Sequence, residues 1–115
     1  MNDVIGYIRV ILPRYAAKGQ ADAMAMHNVD RVITEGKGGN GSREDLVRMV
    51  RKGTAVAIRH LFLLARPKGG RRDLWKAIDA IEARGGVLWE LYTGLHSDDT
   101  KQRDEMMRDA VEALA

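Results

Sequence analysis

Short apolar runs alternate along this chain with stretches whose apolar residues recur at helical spacing, and this alternation constrains the fold more than any other feature. The apolar runs predict four β-strands, at 4–12, 31–34, 54–64 and 87–92. The other stretches predict four helices, at 20–28, 43–52, 73–84 and 100–114. Strands that alternate with helices indicate right-handed crossovers and a parallel sheet.

We therefore expect one α/β domain over residues 1–115, with a mostly parallel sheet of four strands, or slightly more, and helices on both faces. A chain of 115 residues has the length of a single domain and is able to bury its own core. It has no cysteine, which excludes a disulfide framework and a cysteine nucleophile. Ligands of such folds bind beyond the carboxyl ends of the strands.

Local signals predict helix boundaries and loops. Ser42 is a good N-cap residue, and Asp45 three positions later completes a capping-box pattern. Gly53 lies where a left-handed C′ residue would end the same helix. Four glycines within 35–42 predict a mobile loop, and 66–72 is predicted to be a basic loop.

Nothing in the sequence predicts contact with a membrane. The longest apolar runs, near 5–12 and 54–65, each contain arginine and are much shorter than the roughly 20 residues of a membrane helix. The first ten residues lack the basic segment and the cleavage site of a signal peptide. We expect a cytoplasmic protein.

Positive charge is concentrated in the first part of the chain. Residues 1–72 carry 14 Lys and Arg against 6 Asp and Glu, whereas residues 73–115 carry 5 against 10. The stretch from Arg43 to Arg72 is strongly basic, which makes nucleic acid a candidate partner. Phe62 is its only aromatic residue, so stacking on single strands is not favoured. The alternative is that these charges lie on separate solvated faces and have no binding role.

Three short motifs resemble the serine recombinase (resolvase/invertase) catalytic domain. IGYIRV places Tyr7 and Arg9 on one face of the first strand, like the family's Tyr-x-Arg-Val-Ser. The segment SREDLVRMV is similar to the helix after the family's Ser-Gly loop and places Arg43 on a family arginine. RHLFLLAR is similar to the family's Lys-Leu-Asp-Arg-Leu-Gly-Arg and places Arg66 on its last arginine. The resemblance covers most of the chain and implies a resolvase-like fold.

The same resemblance implies that the family's chemistry is lost. The nucleophilic serine falls on Ile11, and isoleucine cannot attack phosphorus. The Asp and first Arg of the third motif fall on Phe62 and Leu63, and its glycine falls on Ala65. We therefore expect a protein that is not an enzyme. Since the sequence ends at Ala115, we also expect none of the helix-turn-helix domain that follows in family recombinases.

The residues that match the family allow two interpretations. Several guanidinium groups that converge on one site suit a phosphate. In the other interpretation the arginines pair with acids such as Asp3 or Glu35, and the tyrosine packs against the sheet. The candidate phosphate-binding or nucleic-acid-binding residues are Tyr7, Arg9, Arg43, Arg66, Arg71 and Arg72.

No cofactor or metal is expected. The segment GKGGNGS does not fit a nucleotide-binding P-loop, because no Lys-Ser or Lys-Thr pair follows its last glycine. His27, His60 and His96 lack the spacing of metal ligands, and His60 is predicted to lie within the third strand. Trp75 and Trp89 are expected in the core, with Trp75 alternatively an exposed interaction anchor.

Three functional hypotheses follow. The first is an inactive resolvase-like module, for example a phage or mobile-element regulator or inhibitor, that contacts another copy, a recombinase or a host protein. Its candidate interface lies on the last helix, which alternatively only covers the sheet, and consists of Met106, Met107, Val111 and Leu114. The second is a non-catalytic protein that binds nucleic acid or phosphate through the basic stretch. The third is an enzyme acting on a phosphorylated substrate, for which no acid, base or nucleophile can be placed.

Overall fold

Strands and helices alternate in the order that the sequence predicts. The computed structural model describes residues 3–10 and 17–115. The strands are β1 (Val4–Arg9), β2 (Val32–Glu35), β3 (Ala55–Ile58) and β4 (Val87–Glu90). The helices are α1 (Ala17–Met26), α2 (Arg43–Met49), α3 (Gly70–Ala83) and α4 (Thr100–Ala113), and a short 3-10 helix (Leu61–Leu64) follows β3.

All four strands are parallel, in the order β2-β1-β3-β4. One row of the register runs across the sheet through Val32, Gly6, Ala57 and Trp89. The chain leaves β1 toward one edge of the sheet and then returns to build the other side, so the order reverses between β1 and β3. The predicted four-stranded parallel sheet is confirmed. Ligands of open parallel sheets bind where the strand order reverses, which is here between β1 and β3.

Helices cover both faces of the sheet, as predicted. On one face, Ile5, Val56 and Leu88 belong to the main core cluster. That cluster also contains residues of α2, α3, the 3-10 helix and α4: Leu46, Leu63, Leu64, Leu74, Ile78, Ile81, Met106 and Met107. On the other face, Ile8 and Ala57 pack with Met24 of α1 in a smaller cluster.

The two tryptophans differ in their surroundings. Trp89 is half-buried and packs against the smaller core cluster. Trp75 is 38% exposed on α3, so the expectation of a core position was wrong for this residue. The core-facing stripe of α3 contains Leu74, Ile78 and Ile81, and Trp75 lies beside that stripe.

The third strand is shorter than predicted. It ends at Ile58, and the chain then forms the 3-10 helix, in which Leu61, Leu63 and Leu64 are all buried. A continued strand would turn Leu63 and Leu64 to opposite faces of the sheet, whereas the helical turn buries both on one side. His60 is therefore not in a strand but directly precedes this helix.

Helix boundaries agree with the local signals in part. Ser42 and Asp45 form the predicted capping box at the start of α2. Gly53 has a left-handed φ of 86°, but α2 has already ended at its C-cap Val50, so Gly53 belongs to the turn before β3 instead. Helix α3 begins at Gly70, which places Arg71 and Arg72 in its first turn rather than in a loop.

The glycine-rich segment 35–42 is hydrogen-bonded to β2 through Asn40. The Asn40 side chain accepts from the amide of Thr34 at 2.7 Å and donates to the carbonyl of Val32 at 3.1 Å. The Asn40 amide donates to the Thr34 carbonyl at 2.9 Å. Gly39 has no room for a side chain, because a Cβ there would lie 2.1 Å from the Thr34 oxygen. This turn brings Glu35 and the start of α2 together.

Candidate functional site

Arg9 ends β1 and lies buried beneath the carboxyl edge of the sheet, with 7% of its side chain exposed. Its Nε donates to the carbonyl oxygen of Leu63 at 2.9 Å, and its Nη1 donates to Glu35 at 3.2 Å. Among the described residues, Nη2 has no hydrogen-bond partner. The backbone of Arg9 is held by Gln20 of α1, which accepts from its amide at 3.0 Å and donates to its carbonyl at 2.6 Å.

Glu35, at the end of β2, is the acid around which the family-matching residues gather. Its Oε1 accepts from the Tyr7 hydroxyl at 3.1 Å and from the Arg43 amide at 2.5 Å. Its Oε2 accepts from Arg9 at 3.2 Å and from Nε of Arg66 at 3.4 Å. Burial raises the pKa of the Glu35 carboxyl, but the Arg43 amide and the charge of Arg9 outweigh burial and hold the pKa below its ordinary value.

The Arg43 side chain turns away from Glu35 and pairs with Asp73 in the first turn of α3. Its Nη1 and Nη2 donate to the two carboxylate oxygens at 2.7 and 3.0 Å, and Nη1 also donates to the Leu64 carbonyl at 2.7 Å. The Arg66 amide donates to Asp73 at 2.7 Å. Hydrogen bonds from Arg43 hold the pKa of the Asp73 carboxyl far below its usual range.

Arg66 is the most exposed arginine of the group, yet it is paired twice. Its Nη2 donates to both carboxylate oxygens of Glu44 at 2.6 and 2.8 Å, and its Nε reaches Glu35. The hydrogen bond from Arg66 lowers the pKa of Glu44 to about 2. The same pairing with Glu44 raises the pKa of the Arg66 guanidinium further above its already high ordinary value.

The site is therefore close to electrically neutral. Among the described residues, the guanidinium groups of three arginines pair with three carboxylates in the combinations Arg9–Glu35, Arg43–Asp73, Arg66–Glu44 and Arg66–Glu35. Burial raises the pKa of Tyr7 well above its usual value, so its hydroxyl stays protonated and donates to Glu35. Its phenolate is thus unavailable as a nucleophile at neutral pH.

The alternative interpretation, in which the arginines pair with acids, describes part of this arrangement. Arg9 pairs with Glu35 as that interpretation held, whereas Asp3 pairs with Arg31 at 3.0 Å instead. Sequence reasoning did not identify Asp73 as the partner of Arg43, since the two are 30 positions apart. It also missed Gln20, because a glutamine within an alanine-rich helix carries no signal of a buried contact.

Other candidate residues lie outside this cluster. Arg71 and Arg72 are exposed in the first turn of α3 and form no ion pair with another described residue. Ile11, at the position of the family's nucleophile, lies outside the described residues.

The candidate interface on α4 is largely used within the chain itself. Met106 and Met107 are buried in the main core cluster, and Val111 and Leu114 are partly buried against it. The two methionines are thus used in the chain's own core, where α4 packs against the 3-10 helix. A partner would reach them only if α4 moved away.

The histidines contact aromatic rings. His27 meets the Trp89 ring edge-on with centroids 5.6 Å apart, and His96 stacks on the same ring at 5.3 Å. His60 lies between Phe62 and Tyr92. Over residues 3–10 and 17–115, no three His, Asp or Glu side chains are grouped as a metal site would require. No helix in that part of the chain is long and apolar enough to span a membrane.

Comparison with known proteins identifies the fold. No family model matches the sequence, and no curated protein is similar to it. The structure is similar to the crystal structure of a resolvase family site-specific recombinase from Streptococcus pneumoniae. The TM-score is 0.60 at 20% sequence identity, over 98% of this chain and 87% of that chain. The chain thus has a resolvase-like fold, and the expectation from the three short motifs is confirmed at that level.

Proposed function

We propose that this chain is a resolvase-like module that performs no recombinase chemistry and acts through contacts with another protein. The observation that carries the proposal is the position of the Glu35 carboxylate, which accepts four hydrogen bonds from Tyr7, Arg9, Arg43 and Arg66. A carboxylate at the centre of this group takes the place that a phosphodiester would need.

Charge supports this interpretation. A DNA phosphate carries one negative charge, and so does Glu35. A phosphate that entered the cluster would have to displace the carboxylate from donors that already hold it, or lie beside it against like-charge repulsion. The pKa of Glu35 lies below its ordinary value, so the carboxylate stays ionised at neutral pH and this competition persists.

The sequence supports the loss of chemistry independently. Ile11 stands where the resembling family has its serine nucleophile, and Leu63 stands at a family arginine. Leu63 is fully buried in the main core, where it serves packing. Without a nucleophile there is no covalent step, and catalytic groups that act as a unit lose most of their effect together.

Contact with a protein is the role that a resolvase-like fold without chemistry retains. We propose a recombinase, a host protein or a second copy as the partner, with the chain acting as a regulator or inhibitor encoded by a phage or mobile element. Trp75 is the candidate anchor, because it is 38% exposed and tryptophan is enriched at the centres of interfaces. In this proposal Trp75, and not the buried methionines of α4, contacts the partner.

Two measurements on the purified chain test this proposal. The first is nicking of supercoiled plasmid, for which none is expected. The second is plasmid resolution by a resolvase-family recombinase, which the chain is expected to inhibit. Trp75→Ala should relieve inhibition, whereas Met26→Ala, at an exposed residue of α1, should not. Nicking by the chain would contradict the absence of chemistry. A strictly monomeric chain that neither inhibits nor recovers any host protein would contradict the protein-contact role.

Binding of nucleic acid by exposed basic residues is a second candidate function. Within the stretch from Arg43 to Arg72, six basic residues form no ion pair with another described residue: Arg51, Lys52, Arg59, Lys68, Arg71 and Arg72. Five of the six are exposed, and Arg59 is half-buried. Unpaired cations bind phosphate without first breaking an internal ion pair, so these residues suit the role better than Arg9 or Arg43 does.

Fluorescence anisotropy with a labelled duplex tests this second function. Duplex binding should weaken steeply between about 50 and about 200 mM salt. Arg71→Gln/Arg72→Gln should weaken it further and reduce the salt slope by about one for each arginine that binds a phosphate in the natural chain. The control is Lys101→Gln/Arg108→Gln, which removes the same charge from exposed positions of α4. An equal decrease in affinity in both variants would mean that net charge alone governs binding and that this surface is not a site.

A further inference from the structure

Three aromatic rings form a cluster at the carboxyl ends of β3 and β4. The His60 ring stacks on Phe62 with centroids 5.3 Å apart, and it contacts the Tyr92 ring at 4.6 Å with the two ring planes tilted by 41°. Burial and the charge of Arg59 lower the pKa of His60, so its ring is neutral at neutral pH. Tyr92 belongs to this cluster and is 71% exposed. An exposed aromatic ring offers surface on which a further planar group can stack.

Backbone hydrogen bonds hold the segment that carries Tyr92 in this cluster. The Tyr92 amide donates to the Arg59 carbonyl at 3.0 Å, and the Leu91 amide donates to the Ile58 carbonyl at 2.8 Å, so backbone pairing between the two strands continues past the end of β4. The buried Glu90 accepts from the Leu61 amide at 2.7 Å. The backbone after β4, which carries Tyr92, is therefore hydrogen-bonded to the backbone after β3, which carries His60.

Tyr92 also lines a cavity of about 290 Å³ between α1 and the ends of these strands. Ala23, Met26 and Leu91 supply apolar surface to the cavity. Its size is near the lower limit of ligand pockets, about 300 Å³, which suits one small planar group. Together with His60, Tyr92 lines a second concavity as well.

Arg59 supplies a cation at the rim of this cavity. It is half-buried, and its guanidinium forms no hydrogen bond or ion pair with another described residue. It lies across Gly19 of α1, where a Cβ would come within 2.5 Å of its Nη1. The acid that shares the cavity, Asp22, pairs instead with Lys18 at 2.9 Å. The charge of Arg59 is thus available to an anion.

We propose that this cavity binds a nucleotide unit, with the base stacked on Tyr92 and the phosphate paired with Arg59. The proposal does not rest on the protein-contact function, and it differs from duplex binding because it requires an unpaired base. A flat apolar surface beside one unpaired guanidinium matches a base joined to a phosphate. A free nucleotide and one nucleotide of a single strand share this chemistry.

Fluorescence anisotropy tests the proposal, with a labelled oligodeoxyadenylate of about eight nucleotides and an abasic strand of equal length, which keeps the phosphates and lacks the bases. The chain should bind the oligodeoxyadenylate about 5-fold to 100-fold more tightly than the abasic strand. Tyr92→Ala should abolish that preference, and Tyr92→Phe should keep it. Arg59→Gln should weaken binding of both strands, whereas the control Lys101→Gln should not.

Equal binding of the two strands, or full preference in folded Tyr92→Ala, would overturn the proposal. Thermal unfolding of each variant verifies folding, and Tyr92→Ala should fold because the ring is mostly exposed. Competition by AMP separates the two sources, because efficient displacement identifies a free nucleotide and poor displacement identifies the single strand. If a peptide with a terminal carboxylate bound through Tyr92 and Arg59 while neither nucleic acid did, the cavity would be a peptide site and the proposal wrong. A chain that does not bind duplex DNA but shows this preference for the oligodeoxyadenylate would still support the proposal.

Discussion

The guanidinium of Arg43 donates to both carboxylate oxygens of Asp73, at 2.7 and 3.0 Å, and joins the start of α2 to the first turn of α3. Both side chains are largely shielded, with exposed fractions of 5% and 16%. Asp73 also accepts from the amide of Arg66, so one carboxylate connects the two helices and the segment between the 3-10 helix and α3. The pair lies at the edge of the candidate site and fixes its shape.

Removal of one member of this pair should destabilise the fold strongly. Asp73→Asn leaves the Arg43 guanidinium buried without a counter-charge, and breaking a buried pair costs about 3–5 kcal/mol. Arg31→Ala is the matched control, since it breaks the exposed pair with Asp3 and should cost at most about 1 kcal/mol. Urea unfolding followed by circular dichroism measures both. Equal destabilisation of the two variants would show that burial does not set the strength of the Arg43–Asp73 pair.

Stability should fall in acid. Hydrogen bonding to Arg66 lowers the pKa of Glu44 to about 2 from its ordinary 4.5. Since the folded-state pKa lies below the unfolded one, the stabilisation is complete above about 4.5 and is lost as pH falls toward about 2. The pKa of Asp73 is shifted in the same direction and adds to the loss.

Unfolding free energies at about pH 6 and about pH 3 test this prediction. Glu44→Gln should reduce the difference between the two values. The control Glu112→Gln, at an exposed position of α4, should not reduce it. A chain with the same stability at both pH values would contradict the ion-paired arrangement of these carboxylates.

Restoring a serine should not restore DNA cleavage. In Ile11→Ser the arginines that match the family would still be paired with Glu35, Asp73 and Glu44. We expect no nicking of supercoiled plasmid under conditions in which a resolvase-family recombinase cleaves its own site. Nicking by Ile11→Ser would mean that the nucleophile alone had been lost and that Glu35 does not block the site.

Gln20 should matter for stability, because its side chain satisfies both backbone polar groups of Arg9. Gln20→Leu keeps a similar volume but leaves a buried amide and a buried carbonyl unpaired, at about 1–3 kcal/mol each. Gln20→Glu keeps an acceptor for the Arg9 amide and should lose less. Thermal unfolding of the two variants gives the comparison, and equal stability of Gln20→Leu and the natural chain would contradict the role assigned to this residue.

Much of the fold could be predicted because its signals are local. The apolar pattern of β1 and the amphipathic stripe of α3 are each read within one element, and the capping box at Ser42 spans only four residues. The end of β3 could not be predicted in this way. Whether Leu63 and Leu64 continue a strand or form a turn depends on the core that α3 and α4 supply.

The candidate site was predictable only in part. The matching motifs identified Tyr7, Arg9, Arg43 and Arg66, and the structure places them around one carboxylate. The aromatic cluster was missed, because Tyr92 lies outside the basic stretch and contacts His60 only through the pairing of β3 with β4.

The sequence by itself determined the alternation of strands and helices, the parallel sheet and the set of charged residues available to the site. The tertiary structure decided which charges neutralise one another. Glu35 meets Arg9 across 26 positions, and Asp73 meets Arg43 across 30, because the strand order brings the ends of β1 and β2 beside the starts of α2 and α3. Ion pairing depends on distance in space and on burial, and neither is encoded in the spacing of residues along the chain.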